Sequence, residues 1–320
     1  VSSAIPRGLV LAAALAGAAC NSEGGPPPSA APAVCGNGVR EGTEECDDGN
    51  TSNADGCFTT CEQPVAFVPG DVHVHSTGCD RPMSPERLAD LLKSQQLEVA
   101  AALAWGTDFE DAAAFFTGRD HPLSTPAFIL HYDLEVSRFA AARTGHLLLL
   151  GLDALRYSPD MANAPQSGVP VVEWARRQPR ALVGMAHAQY WPGDGSFPVP
   201  PGGCCVPFEV VVHAVRGRLD FLSTERPFDE EPGTWRLWKA IQNAGFRVPI
   251  TGASDWPCFT SEFGETTLRT DAIVDGALTY ESWLRAIKAG RTTAAMGIGN
   301  RLNLRIEGRR LGEELQLPAP

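Results

Sequence analysis

The chain reads as an α/β protein built on a mostly parallel sheet or barrel. Three observations predict this. Short apolar runs alternate with helical stretches from about residue 66 onward, and strand–helix units of that kind bring neighbouring strands together in parallel. Polar residues gather where the apolar runs end: His73 and His75, Asp108, Glu135, His187 and Asp255. In a (β/α) barrel that rim is where sites are built. Finally, 320 residues, 43% of them hydrophobic, suit one sizeable domain with something small beside it.

Residues 1–20 stand apart as a signal peptide. Arg7 is the only charge before an apolar stretch from Leu9 to Ala19, too short to span a bilayer as a helix. The ending LAGAAC resembles a bacterial lipoprotein signal, which would lipidate Cys20 and anchor the chain to the outer membrane without spanning it. Gly17 stands where such signals usually carry Leu, and ordinary cleavage near Ala18 or Ala19 is the alternative. Both readings predict export, as a cell-envelope lipoprotein or as a secreted protein. An oxidising compartment permits disulfides among the nine cysteines.

Residues 21–34 have the composition of a flexible tether. Residues 35–61 carry Cys35, Cys46, Cys57 and Cys61 among turn formers with almost no apolar side chains, so bridges must hold them. The sequence does not choose among the three pairings. A zinc site is the alternative, with Cys57 and Cys61 alone at ligand-like spacing. Asp47, Asp48, Asn50, Asn53 and Asp55 lack EF-hand spacing and read as turn formers. With CGNGVREGTEECDDGN and DGC, the segment resembles the cysteine-rich repeat of myxobacterial surface proteins, which implies export rather than an activity.

The barrel is expected over residues 66–295. DVHVH is its first strand, and SPERLADLLKSQQ a helix with Ser84 as N-cap and Pro85 at the first helical position. EVAAALAW, AFILHYDLEV, HLLLLGL, ALVGMAH, LDFLST and VPITGASD follow as strands, with helical runs at VVEWARRQ, FEVVVHAVRG, TWRLWKAIQNAGF and YESWLRAIKAG. Residues 296–320 read as a β-rich tail. Net charge is −12 and no Lys/Arg cluster exists, which excludes nucleic acid as the partner.

Alternate strand residues share a face, so His73 and His75 point the same way. Two imidazoles with nearby carboxylates suit a divalent metal. DVHVHST, then Cys79-Asp80, then SPERL resembles the first motif of the PHP (polymerase and histidinol phosphatase) superfamily. Its later motifs have counterparts in order: DLEVS with Glu135, GHLLLLGL with His146, VGMAHA with His187 and ITGASD with Asp255. Residues 234–311 resemble the exported carbamate-hydrolase-like branch. The resemblance implies a distorted seven-stranded (β/α) barrel. It also implies one ion held by His73, His75, Glu135 and Asp255, and a neighbour held by Glu135, His146 and His187.

Two departures from that pattern concern a third ion. Phe109 stands where T-D-H carries its His, and Asp255-Trp256-Pro257 replaces D-x-H. The resemblance assigns both missing imidazoles, with the residue at Asp80, to that ion. Two divalent ions (Zn²⁺, Mn²⁺ or Fe) bridged by Glu135 are therefore expected. Cys79 and Cys258 flank the vacated position, and a bridge between them would hold the rim there; pairing of Cys258 with Cys204 or Cys205, or free thiols, are the alternatives.

A metal pair implies hydrolysis by a bridging hydroxide. The substrate is a small-molecule phosphoester, carboxylic ester or carbamic ester. Asp80 and His131 are the candidate proton donors to the leaving group, and His131 is alternatively a ligand's support or simply packed. His121, His213 and Asp108 are not expected to bind metal. Near the ligand segments only Arg81, Arg138 and Arg143 could clamp phosphate, whereas Trp105, Tyr190, Trp191 and Trp256 suit an apolar group or barrel packing. The competing reading is a catalytically degenerate surface lipoprotein with a binding or scaffold role.

Overall fold

The computed structural model describes residues 33–42, 44–52, 57–63, 65–79, 81–106, 109–137, 144–159, 161, 165–188, 209–227, 232–258, 263–264, 267–297 and 301–316. The signal segment with Cys20, and Asp80, Asp108, Arg138, Arg143, Tyr190, Trp191, Cys204 and Cys205, lie outside the described residues. The chain divides into two compact units, Val1–Pro64 and Val65–Pro320. No helix among the described residues is long and apolar enough to cross a membrane.

In the smaller unit the pairing is nested: Cys35 joins Cys61 and Cys46 joins Cys57. All four sulfurs are thereby spent, which removes the zinc alternative. The Asp47 carboxylate accepts the backbone N–H groups of Gly36, Gly38 and Gly49 at 2.8, 2.7 and 2.9 Å. It organises turns, as its residue type predicts.

The larger unit begins with β1 (Phe67–Val74), α1 (Pro85–Ser94), β2 (Val99–Ala104), α2 (Phe109–Ala113), β3 (Ile129–Val136) and β4 (His146–Leu150). It continues with α3 (Val169–Ala175), β5 (Leu182–Ala186), α4 (Glu209–Val215), β6 (Phe221–Thr224), α5 (Pro232–Asn243) and β7 (Ile250–Gly252). Last come β8 (Leu268–Ile273), α6 (Tyr280–Lys288), β9 (Thr292–Met296) and a short ladder of β10 (Arg305–Ile306) with β11 (Arg309–Arg310). The sheet order is β7-β6-β5-β4-β3-β2-β1-β8-β9.

This sheet is a nearly closed barrel. Past β7, the Asp255 N–H donates to His73 O and the His75 N–H donates to Trp256 O, both at 2.8 Å. Those bonds lay the end of the β7 segment parallel to the end of β1. The first half of the same β1 edge is taken by β8, antiparallel. Strands β1–β3 are parallel, as are β5–β7. β4 opposes both of its neighbours, so the sheet is mixed rather than mostly parallel.

Alternate residues feed two layers. Val99, Ala101 and Leu103 pack with Phe221 and with Tyr280, Trp283 and Ile287 of α6 inside the barrel. Ala100, Ala102, Leu130 and Tyr132 pack with Leu88 and Leu92 of α1 outside it. On the far side, α3, α4 and α5 cover Leu147, Leu149, Val183, Met185 and Leu222. The helices start where their caps direct. Ser84 accepts from the Arg87 N–H, and Thr279 with Ser282 forms a capping box on α6.

α6 plugs the end of the barrel opposite the rim, and its bulk needs room. A β-carbon at Gly70 would come within 2.4 Å of Trp283 Cζ2, and Gly184 makes the same allowance for Phe221 of β6, whose Cζ a β-carbon there would approach to 2.1 Å. With that end filled, functional side chains are left to the other.

Candidate metal centre

Each of the six expected ligands reaches the rim by a local device. In β1 the pairing runs Asp71↔Ala100 and then Val74↔Ala102, three steps against two. That bulge re-aims the strand end and brings His73 beside His75, with Nε2 atoms 3.2 Å apart. Glu135 is the penultimate residue of β3. His146 opens β4, and because β4 runs antiparallel to β3 its first residue lands at the end where β3 finishes. His187 and Asp255 follow β5 and β7 with φ of 27° and 47°. Non-glycine residues held at positive φ cluster at functional sites, where the surrounding structure must sustain the strain.

The side-chain atoms make a tight polyhedron. His73 Nε2 is 3.2 Å from Glu135 Oε2 and 3.3 Å from Asp255 Oδ1. His75 Nε2 is 3.1 and 3.2 Å from the same two oxygens. Edges of this length belong to a tetrahedron whose centre lies ~2.0 Å from each corner, the Zn–N and Zn–O distance. On the other side, His146 Nδ1 is 2.6 Å from Glu135 Oε1, and His187 Nε2 is 3.6 Å from Asp255 Oδ2. Two groups of potential ligand atoms result, His73–His75–Asp255 and Glu135–His146–His187. Both carboxylates bridge them, one oxygen to each side. For Asp255 this adds a contact that the sequence does not suggest.

Tautomers show why a cation fits. His75 Nδ1 lies 3.0 Å from the Leu103 carbonyl oxygen, which only accepts, so Nδ1 carries the proton. His73 Nδ1 faces Glu225 Oε1 at 3.4 Å, which again calls for a proton there. Both Nε2 atoms then present lone pairs to each other and to two carboxylates. Buried Asp255 Oδ1 has no hydrogen-bond partner, and among the described residues no backbone N–H reaches Glu135 or Asp255. The lone pairs converge with nothing positive between them, and a divalent ion with N/O ligands satisfies that set.

Charge shifts report the same demand. Burial pulls the His73 and His75 pKa values down, yet the Asp255 and Glu135 carboxylates overcome it. They hold His73 well above its ordinary value and His75 at about 9. Burial raises Glu135, but His146 and His73 bring it well below the usual carboxylate range. His187 is lowered, by burial first and then by His146. In the metal-free protein, protons on imidazoles do the work of a cation.

The structure does not bring His131 to this cluster. It lies four residues before Glu135 on β3, about 13 Å along the strand. Its Nδ1 is 3.0 Å from Asp120 Oδ1, and its ring stacks on Tyr280 at 4.1 Å. Asp80 lies outside the described residues. His213 sits on α4 with Nε2 3.5 Å from Glu209 Oε2, and His121 packs beside Phe115 and Tyr132. Phe109, at the position of one missing histidine, is buried in the outer core. Trp256 is also core, and Cys79 is joined to Cys258.

Sequence reasoning missed Glu225 and Asp71. Glu225 is buried just past β6, and the polar-residue-at-strand-end rule would have found it in FLSTE. Asp71 is buried, accepts the His73 N–H at 2.9 Å, and is pushed up to about 7 by burial, against hydrogen bonds from Ser254 and His73. The third group of potential ligands, Glu44–Asp47–Cys61 in the smaller unit, includes a sulfur already in a disulfide.

No protein-family model matches the chain, and no curated protein matches it. Among solved structures, PsfC from Pseudomonas syringae PB-5123 is similar with a TM-score of 0.50 and 16% identity, over 72% of this chain and 92% of that one. A two-domain protein from Bacteroides vulgatus ATCC 8482, described as containing a predicted PHP-like metal-dependent phosphoesterase, is similar with a TM-score of 0.49 and 14% identity. That match covers 73% of this chain and 66% of that one. At this identity the likeness to PsfC concerns the fold alone.

Proposed function

We propose that the chain is an exported metal-dependent hydrolase that holds two divalent ions at the barrel rim. The observation that carries this reading is the convergence of His73, His75, Glu135, His146, His187 and Asp255, a set in which neutral imidazoles would turn their lone pairs towards carboxylates and which therefore calls for added positive charge, from protons or from a metal. Bound there, a divalent pair supplies Lewis acidity and a nucleophilic water at neutral pH. Glu135 and Asp255 set the spacing of the two halves, and the imidazoles set their orientation. Of the two proton donors that the sequence suggests, Asp80 is kept for the leaving group, because His131 is engaged lower in the barrel.

The substrate side favours an uncharged ester. A shallow cleft opens beside Glu135, lined by Gly106, Phe109, Ser137, Tyr157 and Met161. Among the described residues no Arg or Lys lines it, and phosphate clamps are built from those residues; Arg138 and Arg143 lie outside the described residues. Trp105 flanks the site, donating from Nε1 to Ser137 Oγ and lying 5.6 Å from the His75 ring. A carboxylic or carbamic ester with an apolar group fits this lining better than a phosphoester. Export is supported by the three disulfides, and a lipid anchor at Cys20 would hold the protein at the outer membrane.

Purified protein loaded with Zn²⁺ or Mn²⁺ is expected to hydrolyse p-nitrophenyl esters in preference to bis(p-nitrophenyl) phosphate, with His73→Ala inactive. A second reading, a binding protein on a degenerate barrel, is favoured by Phe109 and Pro257 at the positions of the two missing imidazoles. Metal binding without hydrolysis of either class would select it.

A further inference from the structure

Glu225 stands behind the cluster rather than in it. Its side chain is buried, and each carboxylate oxygen faces a donor from a different part of the site. Oε2 accepts the His187 N–H at 2.7 Å. Oε1 accepts the Ser223 hydroxyl at 2.8 Å and faces His73 Nδ1 at 3.4 Å. His187 is the residue held at φ 27°, so the hydrogen bond to Oε2 restrains backbone that would otherwise relax. His73 belongs to one half of the centre and His187 to the other.

We infer that Glu225 is a positioning residue that fixes the His73 tautomer with one oxygen and the His187 backbone with the other, coupling the two halves of the metal centre. This rests on the reading of the six rim residues as ligands. Only an ionised carboxylate meets the requirement, because every neighbour named is a donor. A glutamine offers one oxygen and one NH₂. Turned one way, its NH₂ opposes the His187 N–H. Turned the other way, it opposes the Ser223 hydroxyl and His73 Nδ1–H, and it then favours the tautomer whose proton sits on Nε2. That proton would occupy the lone pair that points into the cluster. An aspartate is one methylene too short to reach both partners. Carboxylates that orient ligating imidazoles in this manner tune metal affinity about 10- to 100-fold.

The test compares full-length parent, Glu225→Gln and Ser223→Ala, each stripped and then titrated with Zn²⁺ and with Co²⁺. Far-UV circular dichroism of the stripped proteins controls for folding. Glu225→Gln is expected to stay folded, to bind both ions about 10- to 100-fold more weakly and to show a shifted Co²⁺ d–d absorption band. Loss at both halves is the signature of coupling. A parent that binds no ion overturns the metal-centre reading, and this inference with it. A parent that binds two ions beside a Glu225→Gln variant of equal affinity and identical Co²⁺ spectrum overturns the inference alone. Should Glu225→Gln fail to fold, Ser223→Ala decides. It removes one hydrogen bond to Oε1 and is expected to weaken binding about fivefold with a shifted spectrum; unchanged affinity and spectrum overturn the inference.

Discussion

Strand β3 carries two histidine–carboxylate groupings on one face, and they are opposites. At its upper end, Glu135 faces only imidazole nitrogens, those of His73, His75 and His146, and among the described residues no backbone donor. Two residues earlier, Asp133 accepts from the Gly151 N–H at 2.9 Å, the Leu152 N–H at 3.0 Å and the Tyr280 hydroxyl at 2.6 Å. His131 completes that lower network, stacked on Tyr280 and facing Asp120. In the lower set the carboxylate is satisfied by three donors, although His131 Nε2 has no hydrogen-bond partner, and the network ties α6 to the barrel wall. The upper set is open and requires a cation. Residue type therefore does not distinguish structure from site; the balance of donors and acceptors does.

The largest expected effect breaks the upper set. Glu135→Ala removes an oxygen from both halves, and elemental analysis is expected to fall from the two ions per chain proposed above to none. Asp133→Asn should retain two. Next comes the lower set. Tyr280→Phe strips a donor from a buried carboxylate and is expected to cost about 1–3 kcal/mol, read as a lower Tm with unchanged metal content.

A third prediction concerns pH. The folded-state pKa of His75 is raised to about 9 from 6.5. In metal-free protein its proton therefore adds stability that is complete below pH 6.5 and is lost as pH rises through about 9. The Tm of stripped protein should fall across that window. Loaded protein should stay level there and instead release metal as the pH is lowered, because protons compete for the ligands. A flat profile for the stripped form would break the comparison. The smallest effect is expected from His131→Gln, which should leave the ion count unchanged and hydrolysis within about twofold, while slightly lowering the Tm.

Much of this was legible in the sequence. The strands carrying His73, Glu135, His187 and Asp255 announce themselves as apolar runs with polar ends, and the helix at 85 by its Ser-Pro start. β8 did not, because Arg269 and Asp271 interrupt its apolar pattern. Both are buried, with Arg269 Nε 3.2 Å from Asp271 Oδ1, and mutual neutralisation is invisible to a hydropathy reading. The reversal of β4 was equally hidden, since periodicity carries no direction. His131 misled for a related reason. Sharing a strand face with Glu135 is legible, but how far down the barrel it lies depends on where the rim is.

The Cys79–Cys258 bridge spans 179 residues and joins the loops that follow the first and seventh staves, at the seam where only a few backbone bonds close the ring. It acts as a hoop. Closing a circuit of that size in the unfolded chain removes about 5 kcal/mol of its conformational freedom. The seam also brings His75 and Asp255, from distant parts of the chain, face to face. A hooped barrel keeps those two within reach of each other before any ion arrives, so ordering is settled during folding and not charged against capture of the metal.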